Sequence, residues 1–448
     1  MTDLTTVTAT ELSALYRSGT VSPVTVAEQV LTKIERLNPV LNAFCFTDPD
    51  ATLKQAQASE QRWREKQPLS AMDGVPVAVK DSILTQGWPT RYASHAVDPD
   101  KNWAVDAPIV TQLRQAGAVL VGKTTMSEFG SKITTDSLLY GITRNPWNTK
   151  FTSGGSSGGS AVAVSSNMVP IAMGTDYTGS VRIPAAFCGI VGLKPTYNEI
   201  SYNYNSLFEC SCIGSLAKTV KDIMLMLNIN DDVLNLSRLK VAYCPDFGFA
   251  TSVNHEIAHA VESVASWLCQ MGVQVTEVKT LCDDPRHIVS NMFRIDANNR
   301  WNQFTAKQKQ LVGNIYRDQF ALMDKINLVD LIEQTKLLQL QLQLDLKQFM
   351  SSYDIILSPS TAVTADKFLA DDIASDQTNG SNVMQYIPFG YLFNLTHQPA
   401  VSVPVGVNYL GMPIGVQLAG SVGADVLVLQ LAQIIEKHFP MPPCPVIL

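Results

Sequence analysis

Three short stretches carry residue types that could do nucleophilic chemistry. GTDYTGSVRIPA (174–185) sets Ser180 behind Gly179 in what reads as a tight, exposed turn. A hydroxyl nucleophile needs a base, yet the nearest histidines in the chain are His95 and His255, and no G-x-S-x-G elbow is present. SGGSSGGSA (153–161) holds Ser156 and Ser157 between glycine pairs. Such a run is most often a plain loop, and a phosphate loop would need G-K-[ST] after the glycines, where no lysine stands. It leads directly into AVAV, so its amides and serines could cluster at a helix N-terminus. DGVPVAVKDSI (73–83) ends an apolar strand on Lys80, which is either a strand-end lysine reaching water or a cation at the edge of a cleft.

Two further patterns resolve to ordinary structure. His255-Glu-Ile-Ala-His259 matches the zinc-protease spacing H-E-x-x-H. However, Ile257, Val261, Val264 and Leu268 form the buried stripe of that helix, the histidines fall on the opposite face, and no third ligand is evident. Cys188 lies among small apolar residues with no charge to lower its pKa, so it reads as a structural thiol. Cys210 and Cys212 are too close for an unstrained bridge within one strand. No metal and no cofactor are expected.

The elements that must position these residues are short buried strands alternating with helices. The first seventy residues read as helical, with Ser22-Pro23 starting one helix and Asn38-Pro39 stopping it. Strands are predicted at 75–79, 119–122, 239–243, 273–278, 354–358, 400–407 and 414–420. Continuous apolar strands between helices imply a sheet covered on both faces. LQLQLQL (338–344) alternates like a strand, but its surroundings favour helix and a helix is expected.

Composition narrows the class. Of 448 residues, 46% are hydrophobic and 16% charged, enough for a large core. A net charge of −7 gives no footprint for nucleic acid. The N-terminus lacks a basic start and an apolar block, and DVLVLQLAQII is about half a membrane span, so neither export nor membrane insertion is expected. Eight scattered cysteines without a C-x-x-C pair suit a reducing cytoplasm.

Taken together, VPVAVK with Lys80, GGSSGGS with Ser156 and Ser157, and GTDYTGSVRIPAAFCGIVGLKPT with Ser180 resemble the amidase signature hydrolases in order, character and spacing. The likeness is strongest from Asp73 to Val220 and continues through YDIILSPSTA, FNLTHQPAVSVPVGV and MPIGVQLAG. It implies one α/β domain over 1–448, an α/β/α sandwich around a large mixed twisted sheet. Within it would lie a helical part at 1–70, a signature core at 73–220 and a helical cover of the active-site mouth at 285–350. It also implies Ser180 as nucleophile, Ser156 as a bridging serine after a cis peptide bond, and Lys80 as base, which removes the need for histidine. The lysine must then be neutral, its pKa falling from about 10.4 toward roughly 7–8. The backbone amides of Tyr177, Thr178, Gly179 and Ser180 would form the oxyanion hole, each donor being worth about 3–4 kcal/mol. Ser157, Asp176 and Arg182 would support the loop.

The implied reaction is hydrolysis of a small-molecule amide through an acyl-enzyme. The alternatives are the amidase subunit of a tRNA-dependent amidotransferase and a weak amide-binding homologue. A homodimer is among the assemblies left open. Departures from the family pattern are Tyr177 and Thr178 in the serine loop, the 198–220 segment, and His397-Gln398 before Pro399-Ala400. Arg294, Asn298 and Tyr316 of the cover are candidate substrate readers.

Overall fold

The computed structural model describes residues 3–200, 207–230, 234–313, 317, 328–370 and 383–445. Eleven strands contributed from Phe44 to Gly420 form one mixed sheet, with helices on both faces. In chain order the strands are β1 (Phe44–Thr47), β2 (Pro76–Lys80), β3 (Val119–Thr124), β4 (Asp136–Ser137), β5 (Gly141–Ile142), β6 (Ile171–Asp176), β7 (Val191–Lys194), β8 (Cys212–Ala217), β9 (Lys240–Tyr243), β10 (Gln274–Glu277), β11 (Ile355–Pro359), β12 (Ala400–Val407) and β13 (Pro413–Gly420). Spatially the large sheet runs β1-β3-β2-β6-β8-β7-β12-β13-β11-β9-β10, and β4 and β5 form a separate pair. The β3-β2-β6 and β11-β9-β10 stretches are parallel, and the centre is antiparallel.

All seven predicted strands are present. Most are apolar on both faces, with Val77, Val79, Val119, Leu120, Ile355 and Leu357 fully buried, whereas the edge strand β10 is largely exposed. Each such side chain contributes about 1.5–3 kcal/mol. LQLQLQL is helical, inside Leu328–Phe349. Leu342 and Leu346 face the core, whereas Leu337, Leu340 and Leu344 are exposed.

The N-terminal part departs from expectation in two ways. The helix that starts at Pro23, with Ser22 capping the Val24 N–H, continues through Pro39 to Leu41. A proline one turn from the end forfeits a single ladder bond, and Asn38 compensates by accepting from the Ala43 and Phe44 amides. The left-handed Asn42 then ends the helix. Between this helix and the next, β1 joins the edge of the sheet against β3.

Candidate active site

The geometry begins with β2 and β6, which are parallel neighbours paired Val79 to Met173. Parallel strands finish on the same edge of a sheet, so Lys80 at the end of β2 and Asp176 at the end of β6 come close together. After Asp176 the chain turns through 177–181 into the helix Arg182–Cys188. The Gly-Ser loop enters the helix Gly158–Ser165, which packs on β6. Its glycines are required by close approach: a Cβ on Gly155 would lie 2.6 Å from the Thr134 carbonyl oxygen, and one on Gly159 2.5 Å from the Thr125 amide nitrogen. The Gly155–Ser156 peptide is cis.

Lys80 is completely buried. Its Nζ lies 2.8 Å from Ser156 Oγ, 2.7 Å from Ser157 Oγ and 2.9 Å from Thr175 Oγ1. Ser157 donates its own proton to the Thr175 carbonyl at 3.2 Å, so it accepts from the lysine. Burial drives the Lys80 pKa from 10.5 down to about 7, against the opposing pull of Asp176 and Asp81. Near neutral pH a deprotonated amine here has a lone pair to offer, with the Ser156 and Thr175 hydroxyls in hydrogen-bond reach of it. Ser156, Ser180, Thr175 and Ser82 line one cavity. Among the described residues no hydrogen bond joins the Ser156 and Ser180 hydroxyls. The two loops are tied instead by the Ser157 amide, which donates to the Ser180 carbonyl at 3.1 Å.

Asp176 and Arg182 are fully buried. They form a two-pronged pair, Nε to Oδ2 and Nη2 to Oδ1, each at 3.0 Å. Arg182 also donates to Gln417 Oε1 at 2.7 Å, and to Asn394 Oδ1 and the Gly390 carbonyl at 2.6 Å. Asn394 returns its amide to the Asp176 carbonyl at 2.9 Å. Burial alone would raise the Asp176 pKa, but Arg182 and the Gly179 amide hold it at about 2.

This cluster shapes the serine loop. Asp176 accepts from the Gly179 N–H at 2.8 Å and from the Val181 N–H at 3.1 Å. The Gly179 amide, one of the four expected oxyanion donors, is thus engaged by a carboxylate. The left-handed backbone that the loop needs falls on Gly179, at φ 102°, and Thr178 keeps a negative φ. Tyr177 points away from the loop toward the helix Arg286–Gln303. Its hydroxyl donates to Asp296 Oδ2 at 2.7 Å, and its ring meets Phe293 edge-on at 5.2 Å. Phe293, Asp296, Ala297 and Arg300 form the outer wall of the cavity. Arg294 is exposed, Asn298 does not line the cavity, and Tyr316 lies outside the described residues.

The amidase family model matches residues 25–429. The chain belongs to the amidase family. It is 30% identical to fatty acid amide hydrolase of Arabidopsis thaliana, over 96% of this chain and 76% of that protein. The A subunit of glutamyl-tRNA(Gln) amidotransferase from Neisseria meningitidis is also 30% identical, over 97% and 98%. A bacterial aryl acylamidase structure of the amidase signature family superposes with a TM-score of 0.86 at 25% identity, covering 97% and 96%. The chain is an enzyme acting on amide C–N bonds.

Within this amidase, sequence reasoning missed Thr175, Asn394 and Gln417. Asn394 and Gln417 sit in FNLTHQPA and IGVQLAG, stretches that carried the family resemblance, but polar residues inside apolar runs gave the only signal. His397, at φ 64°, stacks on Tyr197 at 4.6 Å. Gln398 bonds the Gly420 carbonyl, and neither residue lines the cavity. Burial pushes the Cys188 thiol well up, and its proton goes to the Ser153 carbonyl. His255 and His259 are exposed, and no cluster of three metal-ligating side chains occurs among the described residues. No described helix is long and apolar enough to cross a membrane.

Proposed function

We propose that this amidase hydrolyses a small-molecule amide through Ser180, Ser156 and Lys80. The observation that carries the reading is a buried lysine with a pKa of about 7, held 2.8 Å from a serine that shares a cavity with a second serine. Ser180 Oγ attacks the carbonyl carbon and passes its proton to Ser156, whose own proton moves to Lys80 Nζ. The oxyanion is met by the amides of Thr178 and Ser180, with Tyr177 beside them; Gly179 instead braces the turn through Asp176. Collapse of the tetrahedral intermediate returns the proton to the leaving amine, and water then releases the acid by the same relay. Ser157 holds the lysine, and Asp176 and Arg182 hold the loop.

A fluorophosphonate probe tests this reading. The wild-type protein should label covalently at Ser180, and Ser180→Ala should neither label nor turn over amides. Equal hydrolysis rates for the two proteins would refute the nucleophile.

A second reading draws on the amidotransferase relatives, which match over 98% of their own length. In it the same site would release ammonia from glutamine for a partner. Glutaminase activity that depends on a co-purifying protein would favour it over free amide hydrolysis.

A further inference from the structure

The cavity above Ser180 is only about 80 Å³, below the few hundred Å³ of most small-molecule sites. A second cavity of about 550 Å³ adjoins it. Tyr92, Phe129, Asp296 and Arg300 line both, and so form the neck between them.

The neck is a built feature. Tyr92 and Phe129 hold left-handed backbone at φ 50° and 51°, a conformation bulky side chains seldom adopt. Asp81, next to Lys80 in sequence, fixes the first of these turns by accepting from the Arg91 and Ala93 amides at 3.0 and 2.8 Å. The Phe129 amide donates to the Tyr92 carbonyl at 3.0 Å, which locks the two turns together. Their rings stack with centroids 6.4 Å apart, and the Arg300 guanidinium lies 4.8 Å from the Phe129 ring. Strained backbone held this firmly points to function.

Beyond the neck two further rings, Trp103 and Phe304, stand among polar side chains such as Lys101, Asn299 and Gln303. Phe304 packs on Phe129 at 5.6 Å. Trp103 lines the outer cavity, and its Nε1 is buried without an acceptor among the described residues.

We propose that the outer cavity binds the aryl group of an N-aryl amide of a small carboxylic acid. This rests on the proposed hydrolysis at Ser180. The direction follows from the sizes of the two spaces. The inner cavity has room only for a small acyl group on Ser180, and the neck leads from there to the larger space for the departing amine. Planar rings at the neck and beyond fit a planar leaving group.

The test compares 4-nitroacetanilide, acetamide and 4-nitrobenzamide. Wild-type kcat/KM should be highest for 4-nitroacetanilide. In Phe304→Ala and Trp103→Ala its ratio to the acetamide value should fall about tenfold, mainly through KM. An unchanged ratio, or a preference for 4-nitrobenzamide, would overturn the proposal. Binding is read separately in the Ser180→Ala protein. There 4-nitroacetanilide should quench tryptophan fluorescence saturably, and more weakly in the added Phe304→Ala background. Absence of saturable quenching removes the subsite whatever the turnover. Saturable quenching with no Ser180 labelling would instead refute the hydrolytic reading and leave the subsite standing.

Discussion

The buried lysine makes the most exposed prediction, because its pKa controls both rate and stability. If neutral Lys80 is the base, kcat/KM should follow the unprotonated fraction with a midpoint near pH 7. About nine-tenths of the plateau is then reached by pH 8 and roughly one-tenth remains at pH 6. A lysine at its ordinary pKa would leave the rate still climbing past pH 9. The drop from 10.5 to about 7 corresponds to roughly 5 kcal/mol of penalty on the ammonium. The linkage runs in one direction. Between pH 7 and 10.5 the unfolded chain holds a proton that the native protein has released, so native stability rises with pH across that window. Below pH 7 both states are protonated and the native state carries the full penalty. The assay is a kcat/KM profile from pH 5 to 10 beside urea unfolding at pH 6 and 9, on wild type and Lys80→Met. The variant should lose activity and also that part of the stability slope. A rate that is flat from pH 5 to 9, or one rising log-linearly beyond pH 9, would refute the neutral-lysine base.

Other perturbations probe the loop and its supports. Asn394→Ala removes a hydrogen-bond partner from both Asp176 and Arg182 and should cost about 1–3 kcal/mol in urea unfolding, with a larger loss of kcat than a rise in KM. Arg182→Met leaves Asp176 buried and unpaired and should cost about 3–5 kcal/mol, read from the same transition. Since Asp176 titrates at about 2, its contribution should persist at every pH above the ordinary carboxylate value and vanish only as pH falls through 2. Gly390→Ala would set a Cβ 2.4 Å from the Thr178 carbonyl oxygen. It should displace the serine loop and lower kcat at least tenfold while thermal unfolding shifts by only a few degrees; unchanged kcat would mean that Thr178 is no part of the proposed oxyanion site.

The strands that could be read from sequence and those that could not differ in one physical respect. VPVAV, VLVG and DIILS are apolar on both faces because helices cover them. IAMGTD, CIGSLA and VGLK are just as buried, yet Thr175, Asp176, Ser215 and Lys194 interrupt their apolar pattern. Periodicity has no means of separating such strands from loops. Lys80, Ser156 and Ser180, the three residues proposed to react, stood out because their local motifs are unusual. The distant partners of Arg182 did not, since Asn394 and Gln417 lie more than two hundred residues away and ordinary spacing surrounds them. Tyr177, which looked like an intruder in a glycine loop, gained its explanation only from Phe293 and Asp296 on a distant helix.

The reach of Arg182 bears on the birth of the molecule. On the ribosome the amidase-signature segment emerges long before Asn394 and Gln417. Until those residues arrive, Arg182 can pair with Asp176 but lacks its partners at Gly390, Asn394 and Gln417. The local half of the network, Asp176 with the Gly179 and Val181 amides and Arg182, can form early, and the distal half joins it late. The brace on the Ser180 turn is therefore completed only after β13, which carries Gln417, has been made.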